Sequence, residues 1–255
     1  MRRRIAAANW KMYKTPQETV RFFDKFKQFP DATDHCEVVI FPAALDIPAA
    51  VQSTLETPIQ IGGQNIFWAQ EGAYTGEISA DMMRAAGATW VLVGHSERRH
   101  QVCHETDAEV LKKAQAAIAA GLTPVICVGE RYEEHKAGKA HDVLIRQFAG
   151  GIAGLTEEQF AKIVIAYEPV WAIGTGQTAT PQIASEAHKL IRGEAAKRFG
   201  EEAAENVRIL YGGSVKPENI EGLMREPQID GTLVGGASLD PDSFAKIVQA
   251  SRPLS

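Results

Sequence analysis

Ile163-Val164-Ile165-Ala166-Tyr167-Glu168-Pro169-Val170-Trp171-Ala172-Ile173-Gly174-Thr175-Gly176 is the stretch on which the fold turns. Its first five residues form an unbroken apolar run after the charge of Lys162. A strand with one face in water would alternate, so a continuous run reads as a strand buried on both faces, the mark of a parallel sheet covered by helices. Glu168 closes the run at the mouth of a core, where burial is expected to raise its pKa. Pro169 keeps Glu168 out of the helical region and sets the chain direction beyond it. Val170, Trp171 and Ile173 are large apolar residues on a connection that ought to be polar, and Gly174 and Gly176 behind them can absorb large dihedral changes. The stretch therefore reads as a lid, Pro169 to Gly176 with Ala172 and Thr175 inside it, that closes over a base. The plainer alternative is a partly buried surface loop.

Working outward, runs of the same kind recur at residues 5–9, 36–41, 59–64, 90–93, 123–128, 207–211 and 232–234, making eight strands with the first. Thr15-Pro16-Gln17-Glu18 combines a capping box with proline at the first helical position and opens a helix to about residue 29. Further helices are expected at 47–55, at 79–86, from the Thr106-Asp107-Ala108-Glu109 cap to Gly121, and near Thr180, Pro217 and Pro241. Residues 65–76 are expected to form a long loop. An α/β chain of 255 residues with this order fits a single (β/α)8 barrel over residues 1–255, eight parallel strands surrounded by helices. A doubly wound open sheet is the alternative, but no G-x-G-x-x-G follows the first strand.

Composition excludes other classes. Hydrophobic and charged fractions of 45% and 23% suit a globular core, and a net charge of −5 argues against a nucleic-acid partner. The three cysteines are odd in number and widely spaced, so no disulfide framework is implied. No run approaches the roughly 18 apolar residues of a membrane span, and the start is too short in apolar residues for a signal peptide, so the expectation is cytoplasmic. Arg2-Arg3-Arg4 reads as a solvated face.

In a barrel the functional residues gather at the carboxyl ends of the strands. Those ends supply Asn9 and Lys11, His95 and Glu97, and Glu168, a set suited to moving a proton beside an anion. Each alone has a bland reading, Lys11 as a solvated charge and His95 as a structural hydrogen-bonder. Tyr211-Gly212-Gly213-Ser214 and Gly235-Gly236-Ala237-Ser238 follow the last two strands. Paired glycines there let backbone amides approach a phosphate, the alternative being tight turns that merely need glycine.

Asn9-Trp10-Lys11-Met12, Gly76-Glu77-Ile78-Ser79, Gly94-His95-Ser96-Glu97-Arg98-Arg99, the run from Ala166 to Gly176, Tyr211-Gly212-Gly213-Ser214-Val215 and Val234-Gly235-Gly236-Ala237-Ser238-Leu239 together resemble the triosephosphate isomerase family. The resemblance spans residues 9–239 in family order. It implies interconversion of dihydroxyacetone phosphate and D-glyceraldehyde 3-phosphate through an enediol(ate), without metal or cofactor, in glycolysis and gluconeogenesis. It makes Glu168 the base, His95 a neutral electrophile with a backbone amide near Glu97 on one ring nitrogen, Lys11 the positive charge, and Asn9 a substrate orienter. Amides of Gly174, Ser214, Gly235 and Gly236 would hold the phosphate, and Ser96, Glu97 and Tyr211 would support. Tyr211 and Ser214 would latch the closed lid at Ala179 and Gly176. Thr75 matches the tip of a loop that enters a neighbouring subunit, which implies a homodimer of poorly active single subunits.

Two places depart from the family pattern. Tyr13-Lys14 stands where Asn-Gly is common, and His100-Gln101-Val102-Cys103-His104 replaces a run containing Phe-Gly and is one residue longer. His100 and His104 have the spacing of a helical metal pair, but Gln101 stands where H-E-x-x-H needs glutamate, so local structure is the reading there. Cys103 is expected to be exposed and Cys127 buried. Two other functions compete with the isomerase: a barrel acting on a larger sugar phosphate, which would lack the Glu168 lid and His95 motif, and a catalytically silent phosphate-binding barrel, which would have lost Lys11, His95 or Glu168.

Overall fold

The computed structural model describes residues 2–29, 35–173 and 178–252. Its elements alternate: β1 (Ile5–Asn9), α1 (Pro16–Phe26), β2 (Glu37–Phe41), α2 (Ile47–Ser53), β3 (Gln60–Gly63), α3 (Ala80–Ala85), β4 (Trp90–Val93), α4 (Asp107–Ala119) and β5 (Thr123–Val128). The second half continues with α5 (Tyr132–Lys136), α6 (Ala140–Gly151), α7 (Glu157–Phe160), β6 (Val164–Tyr167), α8 (Pro181–Phe199), α9 (Glu201–Asn206), β7 (Arg208–Tyr211), α10 (Ile220–Met224), β8 (Gly231–Val234) and α11 (Pro241–Ala250). The strands close in sequence order, each parallel to the next, with Ile5 of β1 in register with Gly231 of β8.

Period-two alternation divides each strand between two cores. Ile5, Ala7, Val39, Phe41, Trp90, Leu92, Val125, Cys127, Val164, Ala166, Leu210 and Leu233 fill the inside of the barrel. Ala6, Ala8, Val38, Ile40, Val91, Val93, Ile126 and Ile165 face the helices. The same parity carries upward: Asn9 continues the inward series of Ile5 and Ala7, and Glu168 that of Val164 and Ala166.

Several sequence expectations need correction. The β5–β6 connection carries three short helices, α5 to α7, that the hydrophobic pattern did not reveal. α1 stops at Phe26 rather than near residue 29. The last-but-one helix begins at Ile220, after a turn in which Asn219 Oδ1 accepts from the Lys216 amide at 2.8 Å. Residues 65–76 form a loop as expected, but one that packs on itself: Phe67 stacks on Trp68 and meets Tyr74 at a tilt, with centroids 4.1 and 4.4 Å apart, and the Phe67 amide donates to Ile78 at 2.8 Å. Arg2 and Arg4 are not a solvated face. Arg2 pairs with Asp230 at 2.5 Å, and Arg4 donates to the Met224 carbonyl at 2.7 Å, tying the amino terminus to the barrel floor. All three cysteines are free thiols, with Cys103 exposed and Cys127 buried as expected.

The chain after Gly94-His95-Ser96-Glu97 forms a π turn, Arg98–Val102, in which the Cys103 amide donates back five residues to Arg98 at 3.3 Å. His104 lies beyond that turn with φ of 52°, so the helical spacing of the two histidines is not realised.

α8 buries His188 completely beneath the ring of Tyr167, with centroids 5.9 Å apart at 90°. Burial pushes its pKa down to about 3, so the folded protein keeps it neutral. The unfolded chain binds a proton there below the ordinary value near 6.5, and stability must fall as pH drops through that value. From pH 7 to pH 5 this site alone is expected to remove about 2 kcal/mol, read as a lower urea midpoint. His188→Gln should flatten that acid slope by one proton's worth. An unchanged slope would show that His188 titrates normally.

Candidate active site

Each functional side chain is placed by local rules. β1 ends at Asn9, buried, whose Oδ1 accepts the Lys11 amide at 3.0 Å. That bond holds Lys11 at φ 53°, a conformation costly for a non-glycine residue. Gln64 Nε2 secures the turn from the far side, donating to the Lys11 carbonyl at 2.7 Å and to that of Phe41 at 3.0 Å. The Lys11 ammonium then lies 2.6 Å from Glu97 Oε1.

After β4 the chain needs to turn sharply, and Gly94 supplies a φ of 69°. A Cβ there would sit 2.7 Å from Val110. Arg99 folds back to fix this turn, donating to the Gly94 carbonyl at 2.7 Å and to that of Cys127 at 3.1 Å, and pairing with Asp107 at 2.6 Å. His95 is left buried with both ring nitrogens engaged. Nδ1 accepts the Glu97 amide at 3.3 Å and Nε2 lies 2.8 Å from Glu168 Oε1. Glu168 Oε2 accepts the Ser96 amide at 2.9 Å.

The expectation of a raised Glu168 pKa is corrected by these contacts. Burial pushes it up, but His95, the Ser96 amide and Lys11 outweigh burial and hold the carboxyl below its ordinary value. For His95, burial pushes down, while Glu168 and Glu97 carry it above its ordinary value as long as they face it. The Glu97 amide works against the imidazolium, because Nδ1 can accept only when unprotonated. When neutral, the ring is therefore the Nε2–H tautomer, donating to Glu168.

Past Glu168 the chain forms a 3-10 turn at Val170–Ala172. Trp171 docks rather than pointing into water: Nε1 donates to Glu130 Oε1 at 2.7 Å, and its ring stacks on His135 at 4.2 Å. Glu130, fully buried, also accepts the Tyr167 hydroxyl at 3.1 Å, and its own carbonyl accepts the Val170 amide at 3.0 Å. Ile173 reaches the cavity beside Glu168. Gly174, Thr175 and Gly176 lie outside the described residues.

The glycine pairs divide by task. Gly212 is a packing glycine: a Cβ there would meet Glu168 Cγ at 2.9 Å, and its amide donates to Tyr167 at 2.7 Å. Gly235 and Gly236 are open, with nothing nearer to a Cβ than Lys11 Cε at 3.6 Å. The Ser214 turn is pinned by Asn219 Nδ2 on its carbonyl at 3.0 Å. Tyr211, whose hydroxyl burial pushes to about 12, faces the backbone of Ala179. Asn9, Lys11, His95, Glu168, Ile173, Ser214, Gly235 and Gly236 converge on one cavity of about 240 Å³, which Lys216 also lines. Thr75 is exposed on its own loop, away from this cavity.

Sequence reading missed Gln64, Arg99, Glu130, Lys216 and Asn219. Lys216 alone carried a signal, standing two residues beyond Ser214 of the glycine turn.

A closed parallel barrel with a carboxylate, a histidine and a lysine at three strand ends, facing two glycine turns at two more, defines an α/β-barrel enzyme of small phosphorylated substrates. The sequence model of the family described as triosephosphate isomerase matches residues 4–251. The chain is 58% identical to the triosephosphate isomerase of Solibacter usitatus, over 97% of this chain and 99% of the relative. It is 50% identical to that of Caldanaerobacter subterraneus subsp. tengcongensis, with 97% and 99% covered. The crystal structure of triosephosphate isomerase from Bartonella henselae superposes with a TM-score of 0.86 at 40% identity, covering 98% of this chain and all of that one. The chain belongs to the triosephosphate isomerase family. It is an isomerase that interconverts dihydroxyacetone phosphate and D-glyceraldehyde 3-phosphate.

Proposed function

We propose that Glu168 is the base that carries the proton between the two carbons of the triose phosphate. The observation that supports this most is the carboxylate's parking place, hydrogen-bonded to His95 and the Ser96 amide at the rim of the cavity. Parked, Glu168 is stabilised as an anion and is a weak base. Swung toward substrate, it leaves those donors, and burial then raises its basicity where the proton is taken. Its departure also frees His95 Nε2–H to donate to the substrate carbonyl. The same movement removes the charge that raised the ring's pKa, so burial, Lys11 and the Glu97 amide leave a neutral imidazole. Lys11 then opposes the charge of the developing enediolate, and Asn9 orients substrate oxygens.

The amides of Gly235, Gly236 and the Ser214 turn suit the phosphate, and Gly174 would complete the set from outside the described residues. Closure of Pro169 to Gly176 brings Ile173 over the site and keeps water from the intermediate. Ser214 and Tyr211 serve as the latch. Nothing in this chemistry calls on a metal or cofactor. The test is a coupled assay of D-glyceraldehyde 3-phosphate turnover by wild type beside Glu168→Gln.

We further propose a cytoplasmic homodimer. Met12, Leu45, Met82 and Val102 are 93, 86, 57 and 68% exposed, on or beside the connections after the first four strands. Such an apolar set on one side of a barrel is suited to a second copy. Among the described residues no helix is long and apolar enough to cross a membrane. Sedimentation is expected to give twice the 27.7 kDa chain mass, with specific activity falling on dilution below the dissociation constant. A fully active monomer would overturn the dimer.

A further inference from the structure

Lys14 sits where a glycine would be at ease. Its φ is 73°, a left-handed conformation that strains any residue with a Cβ. A strained position next to a site points to a task for its side chain. The Lys14 ammonium leaves the β1–α1 turn, passes over the rings of Trp10 and Phe22 at 5.1 and 5.0 Å, and donates to the carbonyl of Leu239 at 2.8 Å.

Leu239 closes the 3-10 turn Gly236–Ser238 that follows β8. The turn satisfies most of its own groups. The Ser238 amide donates to Gly235 at 2.8 Å, Ser238 Oγ donates to Gly235 at 2.7 Å and to Val234 at 3.1 Å, and the Leu239 amide donates to Gly236 at 3.1 Å. The Leu239 carbonyl, at the negative end of the turn, is the group held from outside, and a cation holds it. Holding that carbonyl fixes the far end of a turn whose near end, Gly235 and Gly236, lines the cavity. Burial draws the Lys14 pKa below its ordinary value, and Glu18 and Asp240 draw it back, in keeping with a cation seated between aromatic rings.

We propose that Lys14 is a positioning residue for the substrate phosphate: by fixing the Leu239 carbonyl it holds the Gly235-Gly236 turn in register with the loop that carries Lys11. One turn thus bears both the lysine that faces the reacting end of the substrate and the lysine that steadies the seat of its phosphate. This inference rests on the reading of that turn as a phosphate site, and its test separates the two.

Inorganic phosphate is used as a competitive inhibitor of wild type, Lys14→Met, Lys14→Arg and Lys14→Gly, with kcat, KM, oligomeric mass and thermal midpoint measured on each. In Lys14→Met the phosphate Ki and the KM are expected to rise together, roughly three- to tenfold, the loss expected for one charge-assisted hydrogen bond acting at a distance, with kcat moving less. Lys14→Arg should recover most of that loss. Lys14→Gly, which relieves the φ strain, should bind phosphate as weakly as the methionine variant without melting lower than wild type. A Ki unchanged in Lys14→Met and Lys14→Gly, with or without a fall in thermal midpoint, would reduce Lys14 to a structural tie and overturn the proposal. Failure of phosphate to inhibit wild type would overturn the phosphate reading of the turn and the role of Lys14 with it.

Discussion

Glu168→Gln is expected to lower kcat about a thousandfold, some 4 kcal/mol of transition-state stabilisation, with KM changed far less. The substitution keeps the shape of the side chain and removes its basicity. It also breaks the parked arrangement. Two donors, His95 Nε2–H and the Ser96 amide, converge on the two carboxylate oxygens, and a carboxamide has one acceptor oxygen to offer them. Glutamine must leave one donor facing its own NH2. Glu168→Asp makes the complementary test: the base is kept but withdrawn by one carbon–carbon bond, and a misplacement of about 1 Å can cost roughly a hundredfold. Because the parked carboxyl is held below its ordinary value, the acid limb of kcat/KM in wild type is expected to lie below the usual carboxylate range. Turnover that survives Glu168→Gln would keep the reaction and remove Glu168 as its base.

The largest stability effect is expected at the opposite end of the barrel. Asp230 is buried just before β8, with Oδ2 accepting Arg192 Nη2 and the Ile209 amide, both at 2.8 Å, and Oδ1 accepting Arg2. This carboxylate stands at a thin seam, because β7 and β8 share the single register pair Tyr211 with Thr232. Arg192 is itself buried, spending Nη1 on the carbonyls of Val207 and Ala204 and Nε on Gln228, and burial lowers its pKa. Removing one member strands a buried charge. Asp230→Ala is expected to cost about 3–5 kcal/mol, or on the order of 10 °C in thermal midpoint. The double variant Asp230→Ala/Arg192→Met should cost much less than the sum of the two single changes. Additive losses would show that the two side chains do not act as a pair.

The strands were legible because a strand buried on both faces must be apolar throughout, and runs such as Trp90–Val93 leave little other reading. Asn9, His95 and Glu168 followed from their places at the carboxyl ends of three of those strands. Glu130 was invisible for the opposite reason. Its neighbours Arg131, Glu133, Glu134 and Lys136 are polar, so nothing local says that one carboxylate among them is buried beneath Trp171. Gln64 acts on the carbonyls of Lys11 and Phe41, brought to it by other strands, a pattern with no local signature. Glu168 was misjudged because burial can be read from a run of apolar residues, whereas the Ser96 amide and the His95 ring that outweigh it arrive from another strand. The helices α5 and α7 span barely more than one turn each, too little for a helical period to repeat.

The π turn after β4 bears on how this loop can change in length. Its two ends are tied to each other, Arg98 to Glu105 at 2.5 Å and Arg99 to Asp107 at 2.6 Å, and each is also moored elsewhere. Arg99 grips Gly94 and Cys127 on one side, and on the other Glu105 is buried against the Lys113 ammonium at 2.5 Å. Between those moorings an added residue widens one turn instead of pushing His95 or Ser96 along the chain. The loop therefore has slack built into it, and a residue added or removed within the turn is expected to leave the reacting atoms, a few positions away, where they are.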